Sequence, residues 1–155
     1  MRVLLTGMSG TGKSTLVREL RRRGYAAHDA DNGFAEPRAD GRWGWRIDSV
    51  AALLAEAPDQ LLFFAGCSEE QAELPFDYRV LLTAPRSVLV RRLRTRTGNA
   101  YGRDDSELRQ VLADLVEIEP LLQRSADVVL TTTAPPAEIA DVLLRRIAGL
   151  RPGIR

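Results

Sequence analysis

Gly7-Met8-Ser9-Gly10-Thr11-Gly12-Lys13-Ser14-Thr15 decides the fold of this 155-residue chain. Its spacing, G-x-x-x-x-G-K-S, is that of a loop that wraps phosphate. The apolar run Val3-Leu4-Leu5-Thr6 precedes it and reads as a buried strand. Leu16, Val17 and Leu20 follow at helical spacing and read as the inner face of a helix. Strand, glycine loop and helix are the context the pattern requires. The three glycines open backbone conformations closed to other residues. The N–H groups of Gly7, Ser9, Gly10, Thr11, Gly12, Lys13, Ser14 and Thr15 can then turn inward around an anion. The helix beginning near Lys13 adds its unpaired N–H groups and positive dipole end. Lys13 is expected to reach the β- and γ-phosphates, and the Ser14 hydroxyl to bind Mg²⁺. Of the 22 basic residues, Lys13 is the one lysine. A compact, flexible ammonium suits a tight phosphate cradle in a way a planar guanidinium does not.

The length fits one domain, running from residue 1 to 155, and 45% apolar residues suffice for a core. A formal net charge of +1 excludes a global field drawing nucleic acid or membrane, and neither is expected as a partner. The single Cys67 excludes an internal disulfide and a cysteine-based zinc site. No apolar stretch approaches membrane-spanning length, and Met1 leads directly into the first strand with no visible targeting segment. A cytoplasmic monomer or homodimer is the expectation.

Beyond the loop, the first helix runs through three arginines to Gly24, a usual C-terminal glycine. Residues 25–28 read as a second strand with a packed His28, and Asp29-Ala30-Asp31 leaves its carboxyl end. Open parallel sheets bind ligands beyond the carboxyl ends of their strands. One of these two acids can help hold Mg²⁺ and the other can accept the proton of an attacking hydroxyl; the residues alone leave the division open. Residues 32–47 read as an irregular loop whose Trp43 and Trp45 either grip an acceptor or plug the domain edge. Asp48 or Ser49 is expected to cap a helix that ends before Pro58. The wholly apolar residues 61–65 read as a central strand buried on both faces. No acid ends that strand, which shifts metal assistance towards Asp29. Ser68 and Gln71 form a capping-box pattern for a following helix, and Cys67 reads as a small buried or ligand-facing thiol. The next strand, residues 79–83, leads into a helix carrying Arg91, Arg92, Arg94 and Arg96. The glycine-punctuated stretch up to Arg103-Asp104-Asp105 reads as a lid, about residues 95–105, whose closure would exclude water. A long helix interrupted at Pro120, a last strand at 127–130, a helix after Pro135-Pro136 and a frayed tail from Gly149 complete the chain.

Five strands alternating with helices predict a three-layer α/β/α domain with a parallel sheet. With the glycine loop, this layout resembles the nucleoside-monophosphate-kinase-like group of P-loop kinases, which includes shikimate kinase and dephospho-CoA kinase. The resemblance rests on three stretches: residues 7–14, Asp29-Ala30-Asp31, and Arg92-Leu93-x-x-Arg96 with Arg103. It implies a P-loop NTPase sheet order of 2-3-1-4-5, ATP as phosphoryl donor, and Mg²⁺. It implies that Asp29 assists the metal, that Asp31 meets a substrate hydroxyl, and that Arg92, Arg96 and Arg103 face phosphates. The loop holding Thr132 would lie beside the adenine. The middle strand departs from the group, lacking both the D-G-F-P-R stretch of adenylate kinases and the glycine triplet of shikimate kinase.

These residues point to transfer of the γ-phosphoryl group of ATP to a hydroxyl of a small metabolite, with residues 32–60 on the acceptor side. A phosphate acceptor on a nucleotide is the alternative that Arg38, Arg42 and Arg46 keep open. A nucleotide-dependent switch or sensor that transfers nothing is the third reading. A guanine reader of the Asn-Lys-x-Asp type is excluded, because the only lysine is Lys13.

Overall fold

The computed structural model describes residues 1–56 and 59–150. The chain runs β1 (Arg2–Thr6), α1 (Lys13–Arg22), β2 (Ala26–Asp29), β3 (Ala35–Pro37), β4 (Trp43–Trp45), α2 (Ile47–Glu56) and β5 (Leu62–Ala65). A 3-10 turn (Glu69–Ala72), β6 (Tyr78–Thr83), α3 (Arg86–Thr95), α4 (Asp105–Glu117), α5 (Glu119–Ser125), β7 (Val128–Thr131) and α6 (Pro136–Ala148) follow. Five strands form one parallel sheet in the order β2-β5-β1-β6-β7. Counting only these five, the order is the expected 2-3-1-4-5, and the architecture is the three-layer α/β/α fold of P-loop NTPases.

The central strands are apolar throughout because both faces are covered. On one face, Val3, Leu5, Phe63, Val80 and Leu82 pack under Leu16, Val17 and Leu20 of α1 and Ile139, Leu143 and Ile147 of α6. On the other, Leu4, Leu62 and Phe64 pack with Val50 and Leu54 of α2 and with Trp45, Leu74 and Phe76. The register places Asp29 beside Ala65, and Ala65 beside Leu5, at the carboxyl ends of β2, β5 and β1. This row carries the loops of the site.

Four expectations are corrected. Residues 32–47 are not irregular: β3 and β4 form an antiparallel hairpin, with Ala35 opposite Trp45 and Pro37 opposite Trp43. The hairpin is held by packing. Trp45 is buried edge-on against Phe64 at 5.1 Å, and a Cβ at Gly66 would lie 2.7 Å from its ring. The bare backbone of Gly66 thus makes the seat of Trp45. Second, α2 begins at Ile47, ahead of its expected caps, because the Val50 N–H already bonds the Arg46 carbonyl. Third, the pattern from Ser68 to Gln71 makes no capping box; the Ser68 hydroxyl donates to Glu70 instead, and only a four-residue 3-10 turn forms. Fourth, Cys67 is exposed, so of its two readings the buried one falls and the ligand-facing one stands untouched. The interruption at Pro120 is present, separating α4 from α5, and His28 packs against Phe34. Pro58 and the tail beyond residue 150 lie outside the described residues. Among the described residues, no helix is long and apolar enough to cross a membrane.

Candidate active site

The glycine loop leaves β1 and closes on the amino end of α1. Gly7 has φ +145°, and a Cβ there would meet the Leu82 carbonyl oxygen at 2.4 Å, so the chain exits the sheet through a gap only glycine fits. Gly10, at φ +84°, rests on Leu93 and Leu89 of α3. The Thr11 hydroxyl donates to the Met8 carbonyl at 2.8 Å, bracing the loop from within. Gly12 is the N-cap of α1; it provides no side-chain cap, and the first turn holds no acid. The positive end of α1 is therefore left uncompensated by the protein, the condition under which a helix terminus favours an anion.

Lys13 folds back across the loop, its Nζ donating to the carbonyls of Gly7 at 2.5 Å and Met8 at 3.0 Å. Desolvation holds its ammonium below the usual lysine range, while Cys67, Asp29 and Asp31 pull it back up and Arg96 pushes it further down. Asp29 and Cys67 lie at or just past the carboxyl ends of β2 and β5, beside the loop that leaves β1, and frame one hollow there. Ser14 is exposed in the first turn beside it, with Ser9 and Thr15 half-buried. The Thr15 hydroxyl accepts from Arg18 at 3.2 Å.

The two aspartates are differently placed. Asp29 is buried, and its Oδ1 accepts the backbone N–H of Asp31 at 3.1 Å. Asp31 is exposed at the rim. Desolvation first, and the Asp29 charge second, raise its carboxyl above the usual aspartate range, while Lys13 and Arg96 oppose the rise.

The stretch expected as a lid, about residues 95–105, links α3 to α4 and is bonded largely to itself. Arg96 donates through Nη2 to the Tyr101 carbonyl at 2.5 Å, Arg103 donates to the Arg96 carbonyl, and the Gly102 N–H donates to Glu107 at 2.8 Å. Asp104 caps α4 by accepting from the N–H groups of Ser106 and Glu107, each at 2.9 Å. The buried Nε of Arg96 has no partner among the described residues. A buried guanidinium N–H without an acceptor is costly, so it marks a place for an anionic oxygen.

Residues 3–113 match the family model described as AAA domain. The chain belongs to that family. No curated protein sequence matches it. Among solved structures, this AAA domain superposes on shikimate kinase from Acinetobacter baumannii in complex with shikimate, with a TM-score of 0.68 at 14% identity, covering 98% of this chain and 95% of that one. A sugar kinase from Janibacter sp. HTCC2649 gives 0.66 at 23% identity, covering 95% and 94%. A gluconokinase from Sinorhizobium meliloti 1021 gives 0.63 at 22%, covering 96% and 92%. At these identities the likeness is one of fold: the AAA domain is built as a P-loop kinase of the nucleoside-monophosphate-kinase-like group is built.

Arg92 and Thr132 of this AAA domain bond to the glycine loop and to each other. Arg92 is engaged with the protein: its Nη1 donates to the Gly10 carbonyl at 3.2 Å and the Thr132 hydroxyl at 3.0 Å, and its Nη2 to the Thr132 carbonyl. Thr132 is buried, and its hydroxyl donates to the Thr11 carbonyl at 2.7 Å. Together they clamp the glycine loop from behind. Sequence reasoning missed Glu70, whose carboxylate is buried and accepts from Arg38, Ser68 and, at 3.4 Å, the Trp45 N–H. The only sequence signal was the surplus of arginines in the hairpin, which needed carboxylate partners from elsewhere.

The donor set fits Mg²⁺ without caging it. Among the described residues no three His, Cys, Asp or Glu side chains converge to hold a metal. One hydroxyl, Ser14, and one buried carboxylate, Asp29, are what a magnesium ion needs when water and phosphate oxygens complete its shell.

Proposed function

We propose that this AAA domain is an ATP-dependent phosphotransferase that moves the γ-phosphoryl group of ATP to a hydroxyl of a small molecule. One observation carries the reading: the sheet register sets the Asp29-Ala30-Asp31 stretch at the same edge as the glycine loop and the uncompensated end of α1. A carboxylate at the edge that holds a triphosphate is what an alcohol acceptor requires.

The loop amides and the free end of α1 hold the triphosphate, with Lys13 leaving its two carbonyls for the β- and γ-phosphates. Arg92 and Thr132 keep the loop in shape, and the segment around Thr132 flanks the adenine. Ser14 and Asp29 would hold Mg²⁺, which would supply neutralising charge for the triphosphate. Asp31 orients the acceptor hydroxyl and takes its proton. The hydroxyl oxygen forms a bond to the γ-phosphorus as the bond to the β–γ bridging oxygen breaks, and that electron pair leaves with ADP. Arg96, with Arg103 behind it, meets the charge that spreads over the transferring group. Catalysis is then chiefly positioning and electrostatics.

The phosphate-acceptor alternative loses its support. Arg38 is paired with Glu70, Arg42 with Asp40 and Glu69, and Arg46 with Glu36. Incubating the protein with Mg²⁺, labelled ATP and a metabolite mixture, then identifying the product that gains label, tests the proposal. Lys13→Ala should abolish transfer and leave the circular dichroism spectrum unchanged; undiminished transfer would refute it.

A further inference from the structure

The hairpin and the turn after β5 enclose a cleft of about 170 Å³ lined by Arg38, Arg42, Trp43, Ser68, Glu69 and Glu70. Its Ser68–Glu70 wall follows the carboxyl end of β5, which lies between those of β1 and β2. We propose that this cleft receives the acceptor, and that the acceptor is an uncharged polyol, a sugar or sugar alcohol that stacks on Trp43. The inference rests on the phosphotransferase reading.

Its first support is the state of the cations. A site for a carboxylate or phosphate offers a guanidinium whose fork is open. Here every guanidinium of the hairpin already has its counter-charge. Arg38 is the most committed: it lies flat over the buried Gly44, where a Cβ would fall 2.4 Å from its Nη2, and it ends on buried Glu70. Glu70 is held in turn by Ser68 and the Trp45 N–H. The cations that remain near the hollow, Lys13 and Arg96, are needed by the transferring phosphate. An anionic acceptor in the cleft would meet Glu69 and Glu70, with Arg42 and Arg38 already paired to them.

The second support is Trp43. It is 69% exposed beside the buried Trp45, on the same rigid strand. A flat indole over a wall of paired charges offers the two things a polyol uses: a surface for its C–H face, and alternating donors and acceptors for its hydroxyls. Neutral hydroxyls can enter such a wall without breaking an ion pair, whereas an added charge must break one.

The experiment offers the full chain, with Mg²⁺ and labelled ATP, three acceptor pools at equal concentration. The first holds neutral pentoses, hexoses, hexitols and inositols. The second holds aldonic and uronic acids, shikimate and nucleoside monophosphates. The third holds amino sugars. The neutral pool is expected to gain label faster than the acidic pool by more than about tenfold, since like-charge contact is strongly unfavourable. It is also expected to gain label faster than the basic pool, whose amines would have to compete with Arg38 and Arg42 for Glu70 and Glu69. Faster labelling of the acidic or the basic pool, or ATP binding without transfer to the neutral pool, overturns the inference; the first of these leaves the phosphotransferase reading intact. Failure to bind ATP at all overturns that reading, and this one with it. In Glu70→Gln, Arg38 is released, and the ratio of acidic-pool to neutral-pool labelling is expected to rise about tenfold. An unchanged ratio in a variant with the native circular dichroism spectrum removes Glu70 from specificity.

Discussion

Replacing Thr132 by valine keeps the shape of a buried side chain and deletes one hydroxyl. That hydroxyl donates to the Thr11 carbonyl at 2.7 Å, inside a site where Thr11 itself is fully buried. It also accepts from Arg92 at 3.0 Å, but Arg92 retains the carbonyls of Gly10 and Thr132. The main cost is therefore one buried carbonyl left without its donor, about 1–3 kcal/mol. For a domain of this size each kcal/mol lowers Tm by about 2–4 °C, so a mid-range cost of about 2 kcal/mol gives a fall of about 4–8 °C. The loss falls on the back of the glycine loop, so the variant should also bind Mg·ATP more weakly. At a ligand concentration of about 100 Kd, binding stabilises the wild type by about 2.7 kcal/mol, and the variant's gain should be smaller. Thermal scans with and without Mg·ATP measure both effects. Thr132→Ser restores the donor and should recover most of the loss. A valine variant melting within about 1 °C of wild type, or a serine variant no better than valine, would show that the clamp does not hold the loop.

Three further outcomes are expected. Gly7→Ala forces a Cβ against the Leu82 carbonyl oxygen at 2.4 Å in a backbone region unfavourable to side chains; it should cost at least about 1–3 kcal/mol and abolish Mg·ATP binding by calorimetry. With Asp31 as the base, kcat/KM should fall on the acid side through a value above the usual aspartate range, because the carboxylate must be ionised to take the proton. Asp31→Asn should lower transfer far more than ATP affinity and flatten that limb, and an unaltered limb refutes the role. Asp77 is held at about 2 by its hydrogen bonds to Arg2. Its folded value is depressed, so its contribution is present above pH 3.8 and fades as pH falls towards 2. The side chain is 38% exposed, so screening limits the contribution to about 1 kcal/mol. Urea titrations of Asp77→Asn should show that gap at neutral pH and its closure near pH 2.

What the sequence disclosed depended on how local the physics was. Residues 7–15 announce their loop because the glycines, the lysine and the helix start are consecutive. The central place of β5 was legible in its unbroken apolar run, Leu62–Ala65, which only a strand covered on both faces tolerates, whereas the sheet order came from the family resemblance. The hairpin was hidden because its strands have three residues each and its stability lies in Trp45 resting on Gly66 and Phe64, both distant in sequence. Glu70 was hidden for the same reason: read along the chain it belongs to a helix turn, and only the fold brings Arg38 onto it. Arg92 and Thr132 were legible as residues near the phosphate loop but not as partners of one another.

Leu93 is fully buried, and both Gly10 of the phosphate loop and Gly102 of the lid rest on its side chain; a Cβ would come within 3.2 Å of it at the first and 3.1 Å at the second. One leucine is thus a common footing for both loops. Under the phosphotransferase reading, any displacement of the segment that holds Gly102 would be felt beneath the triphosphate, so the grip on nucleotide and the release of product would be mechanically geared.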